Sequence, residues 1–477
     1  MEDILYATMD HALSSGAEYA EVRHQSDRYA RSMVKNGATE VSSSEYGSGY
    51  SIRVLADGCM AFGAANAMDA NGLKALAERT VRAAKASSRL SGGIKMDDSD
   101  MRTAKDILVP RIRFDDIGPD ERDSLLLEAY RSASSSLDPF DSRLAGCYLT
   151  LSLLETEKTI VNSHGGRLHS FTPRASMNAF ITVLDPQKEA VQRHISKGCA
   201  SGWEGVEDWD LPLRMEEEAS VLGKVLRDAR SFRTGKKDLI LGPEIIGLVA
   251  HESAGHPSEA DRLQGREAAQ AGETFLSDES HPRRVGGELL NVVDDPTLPG
   301  SFGHYLHDDE CVPARRRYLI REGSFDELLH NRSTAAAAGT LSNGSSRSLS
   351  FDMEPIVRMA NTFVEPGDWS LEEMIEDVKD GIYMKTFMEW NIDDRRYNQR
   401  YVGLESYAVV DGELAGMVRS PALEISTPGL WSAIDALGRE MEFSAALCGK
   451  GEPMQGIPVW TGGPHARLRS VPMEGVQ

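Results

Sequence analysis

Leu248-Val249-Ala250-His251-Glu252-Ser253-Ala254-Gly255-His256-Pro257 closes an apolar run with two histidines and a carboxylate. Neutral imidazole is the commonest metal ligand, and a glutamate beside it can hold a water that a metal activates. Histidines four apart share one face of an α-helix and can grip one ion. Here the interval is five, which in a regular helix sets the rings roughly 140° apart around the axis. A one-residue π-bulge brings residues at that interval nearly into line, and such bulges gather at functional sites. Gly255 and Pro257 suit a defect of this kind, because glycine tolerates unusual dihedrals and proline withdraws the amide that would bond to Ser253. The spacing therefore predicts a ligand pair if the helix is irregular here, and two unrelated histidines if it is regular. A third ligand has to come from elsewhere.

Outward from this stretch, Asp238 to Gly242 reads as a short strand and Pro243 as a first helical position, with Ile245, Leu248, Val249 and Glu252 on one stripe. From Leu289 onward the pattern is mostly strands and turns, interrupted by a helix near Ser370 to Val378. On the other side, residues 214–231 form a charged helix with Ala219, Leu222, Val225 and Leu226 inward. Farther back, residues 3–15 read as a helix and Ala17–His24, Arg28–Val34 and Tyr50–Ala56 as strands. Lys35-Asn36-Gly37 and Asp57-Gly58 are hairpin turns. Leu73 to Ala84 is a second helix, and Ser87 to Asp100 a surface connection. A helix over Pro119–Ser132 then precedes strands around Cys147–Leu154, Lys158–Asn162 and Arg174–Leu184. The expected divisions are an N-terminal α+β module (1–105), a middle α+β segment (106–212), a linking helix (213–235) and a C-terminal domain (236–477).

Composition narrows the function. A net charge of −22 over 477 residues argues against a nucleic-acid surface, which needs clustered Lys and Arg. No apolar run reaches the roughly 18 residues that span a bilayer, so no membrane association is expected. Met1-Glu2-Asp3 is acidic with no long apolar segment after it, unlike a secretory signal. Cys59, Cys147, Cys199, Cys311 and Cys448 are odd in number and scattered, as in a reducing cytoplasm.

Other candidates are weaker. His164, His169 and His194 lack acids or cysteines at ligand spacing and read as surface or turn residues. Glu259 and Asp261 could orient the histidines, since ligand imidazoles donate their other N–H to an acceptor; they could equally be solvated charges. The stretch Gly300 to Glu310, with His304, His307, Asp308 and Asp309, is dense in donors but offers no distinct pair, and Cys311 follows it. Neither a Gly-x4-Gly-Lys-Ser/Thr phosphate loop nor a Gly-x-Ser-x-Gly elbow is present. Cys448, in Leu447-Cys448-Gly449-Lys450, would complete a His2Cys set with an open fourth position. On chemistry alone, a lone cysteine is more simply a small buried apolar residue.

Together these residues resemble the TldD/PmbA family of metallopeptidases, and within it the TldD branch. His251-Glu252-x-x-Gly255-His256-x-x-Glu259-x-Asp261 resembles its HExxxH signature and acidic follow-on, and Asp308-Asp309-Glu310-Cys311-Val312-Pro313 its DDEGxP loop, with cysteine where glycine is usual. Arg358-Met359-x-Asn361-Thr362, Asp380-Gly381-Ile382-Tyr383 and Leu447-Cys448-Gly449-Lys450 resemble further blocks. Between Met384 and Tyr401 the chain departs, with Trp390-Asn391-Ile392-Asp393-Asp394-Arg395-Arg396 in place of a Gly-rich stretch.

The resemblance implies an α+β fold, with a layered N-terminal part and a β-rich C-terminal domain carrying the metal helix. It implies Zn2+ held by His251, His256 and Cys448, with Glu252 as general base. It also implies a cytoplasmic zinc peptidase acting on small unfolded peptides, as a homodimer or as a heterodimer with a PmbA/TldE-like subunit. PmbA-like members lack the metal motif, so the resemblance points to the catalytic subunit. The peptide is expected to lie as an added strand on a sheet edge. The alternatives are a non-catalytic zinc protein, taking a fourth ligand from His304, His307 or Asp261, and an interaction subunit regulating a partner such as DNA gyrase.

Overall fold

The computed structural model describes residues 2–475 apart from 67, 68, 91, 188, 268–271, 278, 279, 281, 282 and 452. Its N-terminal half is built on one sheet of long strands: β1 (Tyr19–Lys35), β2 (Ala38–Ala56), β3 (Cys59–Asn66), β4 (Thr103–Ile107), β5 (Arg143–Asn162), β6 (Arg167–Leu184) and β7 (Ala190–Cys199). They run in the order β3-β2-β1-β5-β6-β4, with β7 also paired to β6. The β1–β5 pairing carries the sheet across residues 105/106.

Helices cover one face at both ends. α1 (Glu2–Ser14) and α2 (Ala70–Ser87) bury Leu5, Leu73, Leu76 and Val81 against Val22, Ile52 and Val54. α3 (Pro119–Ser135) and, after the short α4 (Glu204–Glu207), α5 (Leu211–Asp228) bury Leu126, Met215 and Leu222 against Leu149, Leu151, Met177 and Ile181. Polar stretches such as Gln25-Ser26-Asp27 in β1 cross the gap between the two helix pairs. For that reason β1 and β5 each read as two runs in sequence, although both are continuous. Most described residues of the expected surface connection, Ser87 to Asp100, are exposed or half-buried. Asp97 and Ser99 are buried because Asp97 accepts from Arg332 Nε at 3.1 Å and Ser99 from the Ser342 amide at 2.9 Å.

The C-terminal half holds a nine-stranded and a six-stranded sheet. β8 (Gly235–Leu241) leads into α6 (Pro243–Ala250), where Gly242 is the cap and Pro243 the first helical residue. Ile245, Ile246, Val249 and Ala250 of α6 share one core with Leu239, Leu241, Ile382 and Leu423 of the larger sheet and Val292, Ile320 and Val364 of the smaller. The helix comes very close to the strand Gln455–Gly463: a Cβ on Gly247 would lie 2.6 Å from the Gly462 nitrogen. Any larger residue there would push the helix off its sheet. The short helix Leu371–Glu376 starts on Ser370, whose side chain accepts from the Glu373 amide. Among the described residues, no helix is long and apolar enough to cross a membrane.

Candidate metal centre

α6 does not continue as a regular helix. His251–Gly255 form a π-helical turn in which the His256 amide bonds to the His251 carbonyl, and His256–Ser258 close as a 3-10 turn. Pro257 has no amide to extend the regular pattern. Gly255 admits the bend because its bare Cα faces Met359, whose sulfur would lie 2.0 Å from a Cβ. The irregularity required by the five-residue interval is therefore present. The two rings meet edge to face with centroids 4.9 Å apart.

Cys448 arrives from the other end of the chain, on the strand Glu442–Lys450. Its sulfur lies 3.5 Å from His256 Nε2, and one donor atom from each of His251, His256 and Cys448 falls within 4.8 Å of the others. All three are buried, with exposures of 4, 3 and 5%. Among the described residues this is the group of at least three such side chains able to hold an ion. The donor set fits zinc: imidazole and thiolate are its usual ligands, and three of them leave one position open. Among the described residues the buried Nδ1 of His251 has no hydrogen-bond partner, a cost that a nearby cation would remove.

The surroundings hold the donors ready. Burial lowers the His251 pKa and takes that of His256 down to about 4, so both rings are neutral at pH 7. Burial alone would raise the Cys448 pKa, but the Arg358 guanidinium works against it and the thiol is shifted toward the thiolate. Glu259 Oε2 sits 2.9 Å from His256 Nδ1 and leaves Nε2 facing Cys448. Glu259 is itself ionised well below the usual carboxylate range, because Lys450 (3.4 Å) and Arg262 (2.7 Å) overcome its burial. Asp261 does not touch the histidines; it accepts from Lys450 at 2.8 Å.

Glu252 is buried beside the cluster and paired with Arg396. Arg396 comes from the departing segment, now seen as the turn of a hairpin between the strands Phe387–Ile392 and Asn398–Gly403. Asp393 builds that turn by accepting from the amides of Tyr397 (2.8 Å) and Asn398 (3.0 Å), and Arg396 adopts φ +63°. The hairpin also binds the π-turn, since Ser253 donates to Gln399 at 2.7 Å. Met388, Trp390 and Asn391 then line a cleft of about 860 Å³ with His251, Glu252, His256 and Cys448, its far wall formed by β7. His194, read as a surface residue, lies on that wall.

Most of the remaining candidates have other partners, although among the described residues the buried Nδ1 of His304 has none. His164 meets Tyr19 edge to face and receives Arg332 at 2.8 Å, while His169 lies 3.3 Å from Glu157. His307 pairs with Asp106 at 2.8 Å. Asp308 accepts from the amides of Glu310, Val312 and Ser346, each at 3.0 Å. Asp309 takes Lys158 (2.9 Å) and Arg23 (3.3 Å), and Glu310 takes Arg53 (2.6 Å). This loop clasps the polar face of the N-terminal sheet. Cys311 packs on Ile160 and Leu168, and burial pushes its thiol well above the usual range.

Residues 234–475 match the PmbA/TldA metallopeptidase C-terminal domain, 20–84 its domain 1 and 112–226 its central domain. The chain belongs to the PmbA/TldD family. It is 28% identical to a metalloprotease of Methanocaldococcus jannaschii over 447 residues, 94% of this chain and 95% of that one. It is 29% identical to a zinc metalloprotease TldD homolog of Saccharolobus solfataricus, over 51% of this chain and 52% of that one. Its α+β fold matches the crystal structure of TldE from Thermococcus kodakarensis with a TM-score of 0.72 at 17% identity, covering 99% of this chain and 100% of that one.

Proposed function

We propose that this chain is the metal-bearing peptidase subunit of its family, with zinc held by His251, His256 and Cys448. The observation that carries the reading is the buried His2Cys cluster, assembled from both ends of the C-terminal half and opening on a cleft. A zinc ion there would supply a Lewis acid beside the scissile carbonyl. Glu252 acts as general base, taking the proton of the attacking water and returning it to the leaving amine. Arg396 fixes the position of that carboxylate.

The cleft suits a few residues of extended peptide better than a folded protein, so small unfolded peptides are the proposed substrate. Phe387–Ile392 is an edge strand of the larger sheet and contributes to the cleft, where a peptide can add as a further strand. We assign the protein to the cytoplasm, where its free cysteines stay reduced. We further propose a two-fold assembly, with a second copy or with a TldE-like subunit. One observation favours a non-catalytic role: Glu252 is already paired with Arg396.

Glu252→Gln decides between the two readings. Loss of cleavage of an unfolded peptide by about 10²–10⁴-fold with zinc retained supports general-base catalysis. Unchanged activity with zinc retained makes Glu252 structural.

A further inference from the structure

A second cavity, of about 250 Å³, lies between the polar face of the N-terminal sheet and the clasp loop, away from the metal cluster. Two arginines line it. Arg174 of β6 donates to the carbonyls of Phe302 (3.1 Å) and His304 (2.8 Å). Arg347 donates to those of Met359 (2.6 Å) and Pro458 (3.1 Å), under the ring of Tyr305. Arg347 is only 7% exposed. Among the described residues, neither guanidinium has a carboxylate oxygen within 4.0 Å.

The acids of the wall are already used. Asp106 holds His307, and Asp309 holds Lys158 and Arg23. Asp308 is spent on three amides, and burial together with Glu310 pushes its carboxyl well above the usual range, toward the neutral form. The cavity therefore carries a surplus of positive charge. Burial and mutual repulsion bring Arg174 down to about 9, and burial brings Arg347 to about 10, so both remain charged at pH 7. Buried charges without a directly paired carboxylate are costly, and a bound anion relieves the cost. Leu306, Leu349 and Phe171 line the cavity as well, the two leucines with exposed apolar side chains.

We propose that this cavity binds a small organic anion, with a carboxylate or phosphate head on Arg174 and Arg347 and a short apolar group against Leu306, Leu349 and Phe171. The planar guanidinium fork suits either oxyanion. Ile457 of the cavity wall is the cross-strand partner of Cys448.

Thermal unfolding and titration calorimetry of the full chain test this, with inorganic phosphate, phenyl phosphate and phenylacetate at ionic strength held constant with sodium chloride. A saturable rise in Tm with at least one phenyl probe is expected, at lower concentration than with phosphate alone. Phenyl phosphate against phenylacetate identifies the preferred head. Arg174→Gln should weaken binding at least about tenfold, and Arg174→Lys less. Leu306→Glu, at an exposed position, should weaken it without disturbing the fold. No saturable response from any probe in the unaltered protein, or a response unchanged in Arg174→Gln and Leu306→Glu, overturns the proposal.

Discussion

Two buried clusters of the C-terminal half draw on similar residues and end differently. The His251/His256/Cys448 cluster and the Asp308–Cys311 clasp are both dense in potential ligands. In the clasp, the acids are occupied by Lys158, Arg23, Arg53 and backbone amides. In the metal cluster the second-rank groups are satisfied, Glu259 by Arg262 and Lys450, while the donors themselves face one another and the cleft. A ligand-rich sequence becomes a candidate ion site only where its lone pairs are not already spent. Density of donors does not reveal this; their partners do.

The largest effect should follow from breaking the cluster. Zinc content of the purified chain, near one per chain, should fall to background in both Cys448→Ala and His256→Ala. Zinc retained in Cys448→Ala would separate the two ends of the sequence and undo the proposed centre. The clasp should behave in the opposite way. Asp309→Asn leaves Lys158 and Arg23 without their buried partner, and removing one side of such a pair costs about 3–5 kcal/mol. Its zinc content should not change. Loss of zinc in a folded Asp309→Asn protein would mean that the two clusters are one system.

Acid should separate them again in the metal-free chain. His256 has a folded pKa of about 4 against an ordinary 6.5, so its neutral form is favoured by folding. That contribution is fully present above pH 6.5 and is lost as pH falls toward 4. Asp309 has a folded pKa of about 2 against 3.8, because Lys158 and Arg23 overcome its burial. Its contribution is present above pH 3.8 and is lost as pH falls through 2. Tm measured against pH should therefore fall in two windows. His256→Gln should reduce the upper loss and Asp309→Asn the lower; one shared window would contradict separate clusters.

What was legible in sequence follows the same division. The π-turn was conditional on a spacing of five; Pro257 gave a local reason for it, whereas Gly255 keeps helical dihedrals and serves by its close approach to Met359. Cys448 could be joined to the histidines only through family resemblance, since 192 residues separate it from His256. The strand pairing that brings it there is non-local. Arg396 escaped because it lies where the chain leaves the family pattern, in a turn whose geometry depends on Asp393. Arg262 lies three residues after Glu259, a helical pairing interval that the sequence did offer. The α+β class was readable from strand and helix periodicity, but the continuity of β1 and β5 was not, because each is apolar only beneath a helix pair.

Cys311 gives the finest test of the clasp. It adopts φ +65°, in the left-handed region that favours glycine, and a side chain there costs about 1–2 kcal/mol. Its burial against Ile160 and Leu168 returns about 1 kcal/mol, and glycine would add entropy to the unfolded chain. Cys311→Gly should therefore shift stability by less than about 1 kcal/mol in either direction, because the terms oppose one another. Cys311→Val keeps the unfavourable backbone and adds a stiff β-branched side chain, so it should destabilise by more. Urea midpoints at unchanged m-value measure both. A large gain in Cys311→Gly would show that backbone strain, and not packing, governs this turn; a large loss would show that the cysteine side chain holds the clasp against the N-terminal sheet.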